Sequence, residues 1–533
     1  MTMNKLSILL TFVFSLLLTF SCTDLEEDLV GDVTNDISIT GITGGGGGGA
    51  GGPLAGAFGK LRDGSAGHFG HYSIQEITTD EMVIGAKGGD WFDGGILIQL
   101  HQHTYDPTNG MFNNTWNQTY GGINTCNELL AGGGLDANGT AQVRALRAYF
   151  YYRLMDLFGN VKIITTPGTD APQASRQEVF NFVESELLAA LGVSEVSAGM
   201  DLSSSALGTD PNPYRINQYG ALGILAKVYL NAEVYTGTAR WAEADAAASY
   251  IIDSGAYQLC GDGCSVPNLG KRPDVASDPE MLEGYAAVFA ANNESNPENI
   301  FTIEYDEVSA GGMNFAMMNL HYSSQFTYNF DSQPWNGYAT LEEFYNSYEA
   351  GDRRRANNFL VGPQTDFGGS AVLDFAADDG DIVLNYTPQL NELAPNYLRE
   401  AGARPSKFSY KVLGRSNMDN DYPVVRLGDV YLMRGEARAR AAGDWNASIP
   451  DVNLLRARAG VSAYSSMDAD EFLAERGREM FAESVRRTDL IRFGEYNGTW
   501  WEKPASPDHV NIFPIPFDQI QASAGTLSQN PGY

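Results

Sequence analysis

The chain has 533 residues, long enough for more than one core at about 150 residues per domain. Its 43% hydrophobic content, with 27 Tyr, 26 Phe and 7 Trp, excludes a disordered polymer. The 66 acidic residues outnumber the 34 basic ones and leave a net charge of −32; this argues against nucleic acid as a partner, because phosphate binding needs basic patches, and disfavours polyanionic glycans.

At the start, Lys5, the apolar run Leu6 to Phe20 and Ser21 predict a secretory signal peptide over residues 1–21. The run is too short to span a bilayer, which takes about 20 apolar residues. Cys22 follows directly, in the manner of a bacterial lipoprotein acylated on that sulfur, and acyl chains together hold a protein on a membrane durably. Residues 22–55 read as a tether, acidic at Asp24, Glu26, Glu27 and Asp28 and glycine-rich from Gly44 to Gly49. No Gly-Lys-Ser/Thr follows those glycines, so they are not a phosphate loop, and no cofactor is expected.

Apolar residues at helical spacing predict helices over Ala141–Phe158, Gln173–Leu191, Tyr219–Tyr235 and Trp241–Asp253. The last two are crowded with Ala and Gly, which lets helices approach closely, as in tetratricopeptide hairpins. Residues 256–426 have another texture, rich in Gly, Asn, Asp, Pro and aromatics, with a strand-like run from Ile300 to Tyr305. Helical spacing returns over Leu427–Ala442, Ile449–Ala459 and Asp468–Phe493. The expected fold is mainly α: a tetratricopeptide-like helical-hairpin scaffold, about 56–255 and 427–533, carrying a long irregular insert with short strands, about 256–426. Functional residues commonly sit on such loops.

Cys260 and Cys264 could close a small disulfide loop in an oxidising exterior. A metal site from this pair lacks a second pair or a nearby His, and no metal is expected. Cys126 reads as a buried small hydrophobe. His68, His71, His101 and His103 have chelating spacing, but no His-Glu-x-x-His arrangement accompanies them.

Several motifs then fall in a telling order. They are Thr79-Asp80-Glu81, the run Gly89 to Gly95, Arg147 to Tyr151 with Phe158-Gly159, and Asp352-Arg353-Arg354. Arg426 to Leu432, Arg456 to Gly460, Glu475-Arg476, Asp489 to Arg492 and the ending Gln529 to Tyr533 complete the set. Together they resemble the SusD/RagB family of outer-membrane nutrient-binding lipoproteins, over nearly the whole chain after Cys22. The resemblance implies a binding protein and not an enzyme, lipid-anchored on the extracellular face of the outer membrane. It would capture oligo- or polysaccharide and deliver it to a SusC-like TonB-dependent transporter. A glycan-degrading surface enzyme and a lid for peptide uptake are the alternatives.

Sugar rings present C–H faces that stack on exposed indoles, while fixed polar groups select hydroxyl patterns. Trp91, between Asp90 and Asp93 in a glycine-flanked loop, and Trp335, beside Asn336 and Tyr338 in the insert, are therefore the candidate glycan contacts. Tyr322, Tyr328 and Asn329 are secondary candidates. Trp116, Trp241 and Trp445 fall in helical segments and are assigned to packing.

Overall fold

The computed structural model describes residues 52–271, 280–376 and 382–533; the signal peptide, Cys22 and nearly all of the tether lie outside them. Five helices follow one another: α1 Gly110–Gly132, α2 Ala137–Phe158, α3 Arg176–Leu191, α4 Gln218–Leu230 and α5 Trp241–Asp253. Four more come after the insert: α6 Leu427–Ala442, α7 Ile449–Ala459, α8 Ala469–Met480 and α9 Arg486–Phe493. Each of α1 to α5 packs on its chain neighbour, and α5 packs on α6, so the two helical runs form one continuous array. This is the tetratricopeptide-like helical scaffold that the small-residue spacing predicts. Among the described residues no helix is long and apolar enough to cross a membrane.

Local chemistry sets the helix ends. Asp136 caps α2 by accepting from the Gly139 amide at 2.7 Å. Ser175 and Glu178 form a reciprocal capping box on α3, which moves that helix start from the predicted Gln173 to Arg176. Gln173 and Ala174 pair instead with Val161 and Lys162. The predicted helix Tyr219–Tyr235 is interrupted at Asn231, whose side-chain amide bonds the Lys227 carbonyl at 2.9 Å; a short helix, Ala232–Thr236, follows. Asp468–Phe493 is likewise two helices. Ala482 and Ser484, between α8 and α9, are left-handed, and their amides donate to the buried carboxylates of Glu81 and Glu76 at 3.1 and 2.6 Å. Two tertiary acceptors outbid the helical ladder there.

The insert is rooted by one ladder. β1 (Asn299–Ile303) pairs antiparallel with β2 (Tyr422–Arg426), Ile303 opposite Tyr422 and Phe301 opposite Val425, and both strands are buried throughout. Gly223 in α4 admits this ladder: a Cβ there would stand 2.3 Å from Val425 Cγ1. Among the described residues every other ladder is also a two-stranded antiparallel pair, and most are only two residues long. Cys260 and Cys264 are disulfide-bonded, and Cys126 is free and buried.

The residues that carry the family resemblance are mostly inside the scaffold. Arg426 holds Glu298 and Glu479 at 2.9 Å each and Glu483 at 2.6 Å. Arg458 spans Glu298 and Glu479, and Arg354 reaches Asp352, Glu475 and Glu479. A second chain of pairs runs from Lys227 through Asp429, Arg476 and Asp489 to Arg492 and Glu436. These charges knit α4, α6, α8 and α9 to the root of the insert. The ending serves the same purpose: Asn530 donates to the carbonyls of Phe158 and Phe513 at 2.9 and 2.7 Å, clasping the C-terminus to the end of α2.

Candidate functional site

The loop carrying Trp91 is built by its own backbone. Lys87 and Asp90 exchange amide–carbonyl bonds of 2.8 and 3.2 Å, and the Gly88 amide donates to the Pro395 carbonyl at 2.7 Å. The turn leaves Asp90, Phe92 and Asp93 exposed and Trp91 half-buried. From the insert, residues 335–338 lie against the short helix Phe315–Asn319, their amides donating to the carbonyls of Met317, Leu320 and Met318.

These two segments, 244 residues apart, meet directly. The Trp91 indole Nε1–H donates to the Trp335 carbonyl at 2.6 Å. Gly337 makes the approach possible, since a Cβ there would meet Trp91 Cζ2 at 3.2 Å and Met318 Cε at 2.6 Å. His68 stands edge-on to both indoles, its ring centroid 5.2 Å from Trp335 and 6.5 Å from Trp91. Its Nδ1 lies 2.8 Å from Asn314 Nδ2, so Nδ1 accepts and Nε2 carries the proton of the neutral ring. Burial lowers the His68 pKa against the opposing pull of Asp93, which keeps the ring neutral. The Tyr322 hydroxyl donates to the Asp90 carboxylate, and burial, reinforced by Asp90, raises that phenol well above its ordinary range.

Backbone strain gathers at the same place. Trp91, Asp93 and Asn336 all have positive φ, 59°, 43° and 58°, and such residues persist only where their surroundings over-determine them. Of the six candidate contacts, Trp91 and Trp335 are brought together, with Asp90 and Asp93 on the exposed rim. Asn336 and Tyr338 are not available to a ligand as expected, for both are fully buried. Asn336 Nδ2 donates to the Arg399 carbonyl at 3.1 Å, and the Tyr338 ring packs edge-on against Tyr72 while its hydroxyl pairs with Ser73. They shape the loop behind the indoles. His68 and the exposed Phe92 are the residues that sequence reasoning missed as site members. No sequence signal joins His68 to tryptophans 23 and 267 positions away, and its spacing to His71 suggested chelation instead.

His101 and His103 are taken up in packing elsewhere. His101 Nε2 lies 2.7 Å from the Trp501 carbonyl, and His103 bridges Ser506 and the Thr78 carbonyl. Burial depresses both rings, His101 to about 4 and His103 to about 2. Among the described residues no group of three or more His, Cys, Asp or Glu is placed to hold a metal ion. Trp116 is buried, and Trp445 packs on Phe472 and Phe493.

The helical scaffold defines a class as well as a shape. Residues 297–533 match the family model described as the SusD family, and residues 90–230 match one described as "Starch-binding associating with outer membrane". The two span well over half of the chain, and the chain belongs to the SusD/RagB family. Its relatives include the starch-binding protein SusD of Bacteroides thetaiotaomicron, 25% identical over 74% of this chain and 72% of that protein. SusD-like protein P2 of Formosa agariphila is 23% identical over 98% of this chain and 99% of its own length. Among solved structures, surface glycan-binding protein A from Bacteroides thetaiotaomicron superposes with a TM-score of 0.68 at 20% identity, over 90% of this chain and 98% of that one. It is also known in complex with laminarihexaose. A laminarin-binding SusD-like protein gives a TM-score of 0.66 at 23% identity with the same coverage. At these identities the structural likenesses establish the fold.

Proposed function

We propose that this chain is a cell-surface glycan-binding lipoprotein, anchored through Cys22 to the outer membrane, that captures oligo- or polysaccharide and passes it to a SusC-like TonB-dependent transporter. The observation that carries the binding step is the hydrogen-bonded Trp91–Trp335 pair with Asp90 and Asp93 on its rim. Indole faces stack on sugar C–H surfaces, and exposed carboxylates accept from vicinal hydroxyls. Negatively charged hydrogen-bond acceptors at the rim, on a chain of net charge −32, favour neutral glycans over uronate or sulfate polymers. The names of the relatives, starch-binding and laminarin-binding, agree with that class. Delivery to a transporter, the lipid anchor and the extracellular face rest on family membership. No nucleic acid takes part in this reading, and neither does catalysis.

The test is affinity electrophoresis of the purified chain through gels containing starch, laminarin or an anionic polysaccharide. Retardation by a neutral glycan, abolished in the Trp91→Ala/Trp335→Ala double variant with an unchanged circular dichroism spectrum, is the expected result. Equal retardation of the double variant would move the binding site elsewhere.

A further inference from the structure

Beneath the scaffold surface lies a cavity of about 60 Å³, walled by α2, α4, α6, α8, α9, β2 and the short helix His71–Glu76 and lined by both apolar and charged side chains. It holds several times the roughly 10–15 Å³ that one water needs. Its walls carry buried charges, and these can be followed one by one. Lys227, Arg476 and Arg492 are each paired, through Asp429, Asp489 and Glu436. The lining carboxylates are taken as well: Asp489 by Arg476 and Arg492, Glu483 by Lys407 and Arg426, and Asp156 by Arg487 at 3.3 Å.

Arg153 is the exception. It is 5% exposed and forms no ion pair with any carboxylate among the described residues. Its guanidinium donates to Ser65 Oγ at 2.7 Å and lies over the Tyr149 ring, while Nε finds no partner. A buried guanidinium without a counter-charge is costly, because desolvation is not offset. Beside it, His71 Nδ1 and Gln75 Oε1 are also buried without partners. His71 is held neutral by burial and by the nearby Arg153 and Arg487 charges, which marks the local field as positive. A neutral imidazole offers one N–H donor, and Gln75 Oε1 accepts, so an anion accompanied by water satisfies all three groups.

We infer that this cavity is a binding site for a small monovalent anion of the halide class, held by Arg153 with His71 beside it. One uncompensated positive charge matches one negative charge, and the limited volume suits a halide with its water. The site is internal and separate from the indole pair, and it would couple anion binding to scaffold stability, since a ligand of the folded state alone stabilises it by mass action.

The experiment uses the purified chain. Crystals grown in bromide are expected to show an anomalous scattering peak inside the cavity beside the Arg153 guanidinium. In solution, the melting temperature is expected to rise and level off with chloride when gluconate keeps ionic strength constant, and Arg153→Met should abolish that dependence. A cavity without bromide, or a melting temperature equal in chloride and gluconate, would overturn the assignment. Both wild-type measurements decide the matter even where the variant fails to fold.

Discussion

Replacing Trp91 by Phe keeps an aromatic face but removes the indole N–H that donates to the Trp335 carbonyl at 2.6 Å. The carbonyl loses its partner, which costs about 1 kcal/mol in chemical denaturation. With Trp335 no longer fixed, glycan affinity should fall by about fivefold, much less than for Trp91→Ala; equal losses would show that the hydrogen bond has no positioning role. Asp93 offers the converse experiment. Its φ of 43° is strained for a side-chain-bearing residue, so Asp93→Gly should raise the urea midpoint by an amount equivalent to up to about 1 kcal/mol. Affinity should not rise with it, because a carboxylate acceptor is lost from the rim. Trp91 was legible as a candidate because a Trp between carboxylates in a glycine-flanked loop is unusual for a core, and Trp335 because it stands in the irregular insert beside Asn336 and Tyr338. Tyr338 was not legible as core, since a Tyr beside Asn and Gly in an irregular insert reads the same whether it faces solvent or packs on Tyr72.

Helices were legible wherever periodicity ended at a local stop, as Trp241–Asp253, Leu427–Ala442 and Ile449–Ala459 do. They were misread where distant groups intervened: Glu76 and Glu81 split the predicted Asp468–Phe493 by capturing the amides of Ser484 and Ala482. Helix α8 shows the same long-range logic in its charges. Glu479 accepts from Arg354 and Arg426 and from Arg458, all of them buried. Glu479→Gln retains the volume but removes the charge that three buried guanidiniums share and leaves Arg458 with Glu298 alone. Breaking such a buried pair costs roughly 3–5 kcal/mol, so the variant should lose that much in urea denaturation. A loss below about 1 kcal/mol would mean that the remaining carboxylates, Asp352, Glu298, Glu475 and Glu483, compensate fully. In that event the network is redundant and α8 is held by its apolar face.

At the scale of the whole molecule, the fold draws arginines inward, with Arg354, Arg404, Arg426, Arg456 and Arg487 among its largest fully buried side chains. The carboxylates they meet diverge in pKa. Burial opposes ionisation of Glu436 and Glu479, yet Arg492 and Arg440 on the first, and Arg458, Arg426 and Arg354 on the second, hold both down at about 2. Their stabilisation is fully present above the unfolded carboxylate range and is lost as pH falls toward 2. Glu76 and Asp421 lack such partners, and burial pushes each up to about 7. Their sign is opposite: the folded state holds a proton that the unfolded chain has released, so stability declines as pH rises from the unfolded range to about 7. Each such proton contributes a slope of about 1.4 kcal/mol per pH unit across that window. Repulsion within a chain of net charge −32 adds to the decline at higher pH. The melting temperature should therefore peak near pH 5, about where one set of carboxylates has finished ionising and the other has not begun, and fall toward pH 8. Glu76→Gln keeps the protonated shape and removes one titration, so it should flatten the alkaline limb while leaving the acid limb untouched. Differential scanning fluorimetry from pH 3 to 8 reads both limbs, and an unchanged alkaline slope in the variant would remove Glu76 as its source.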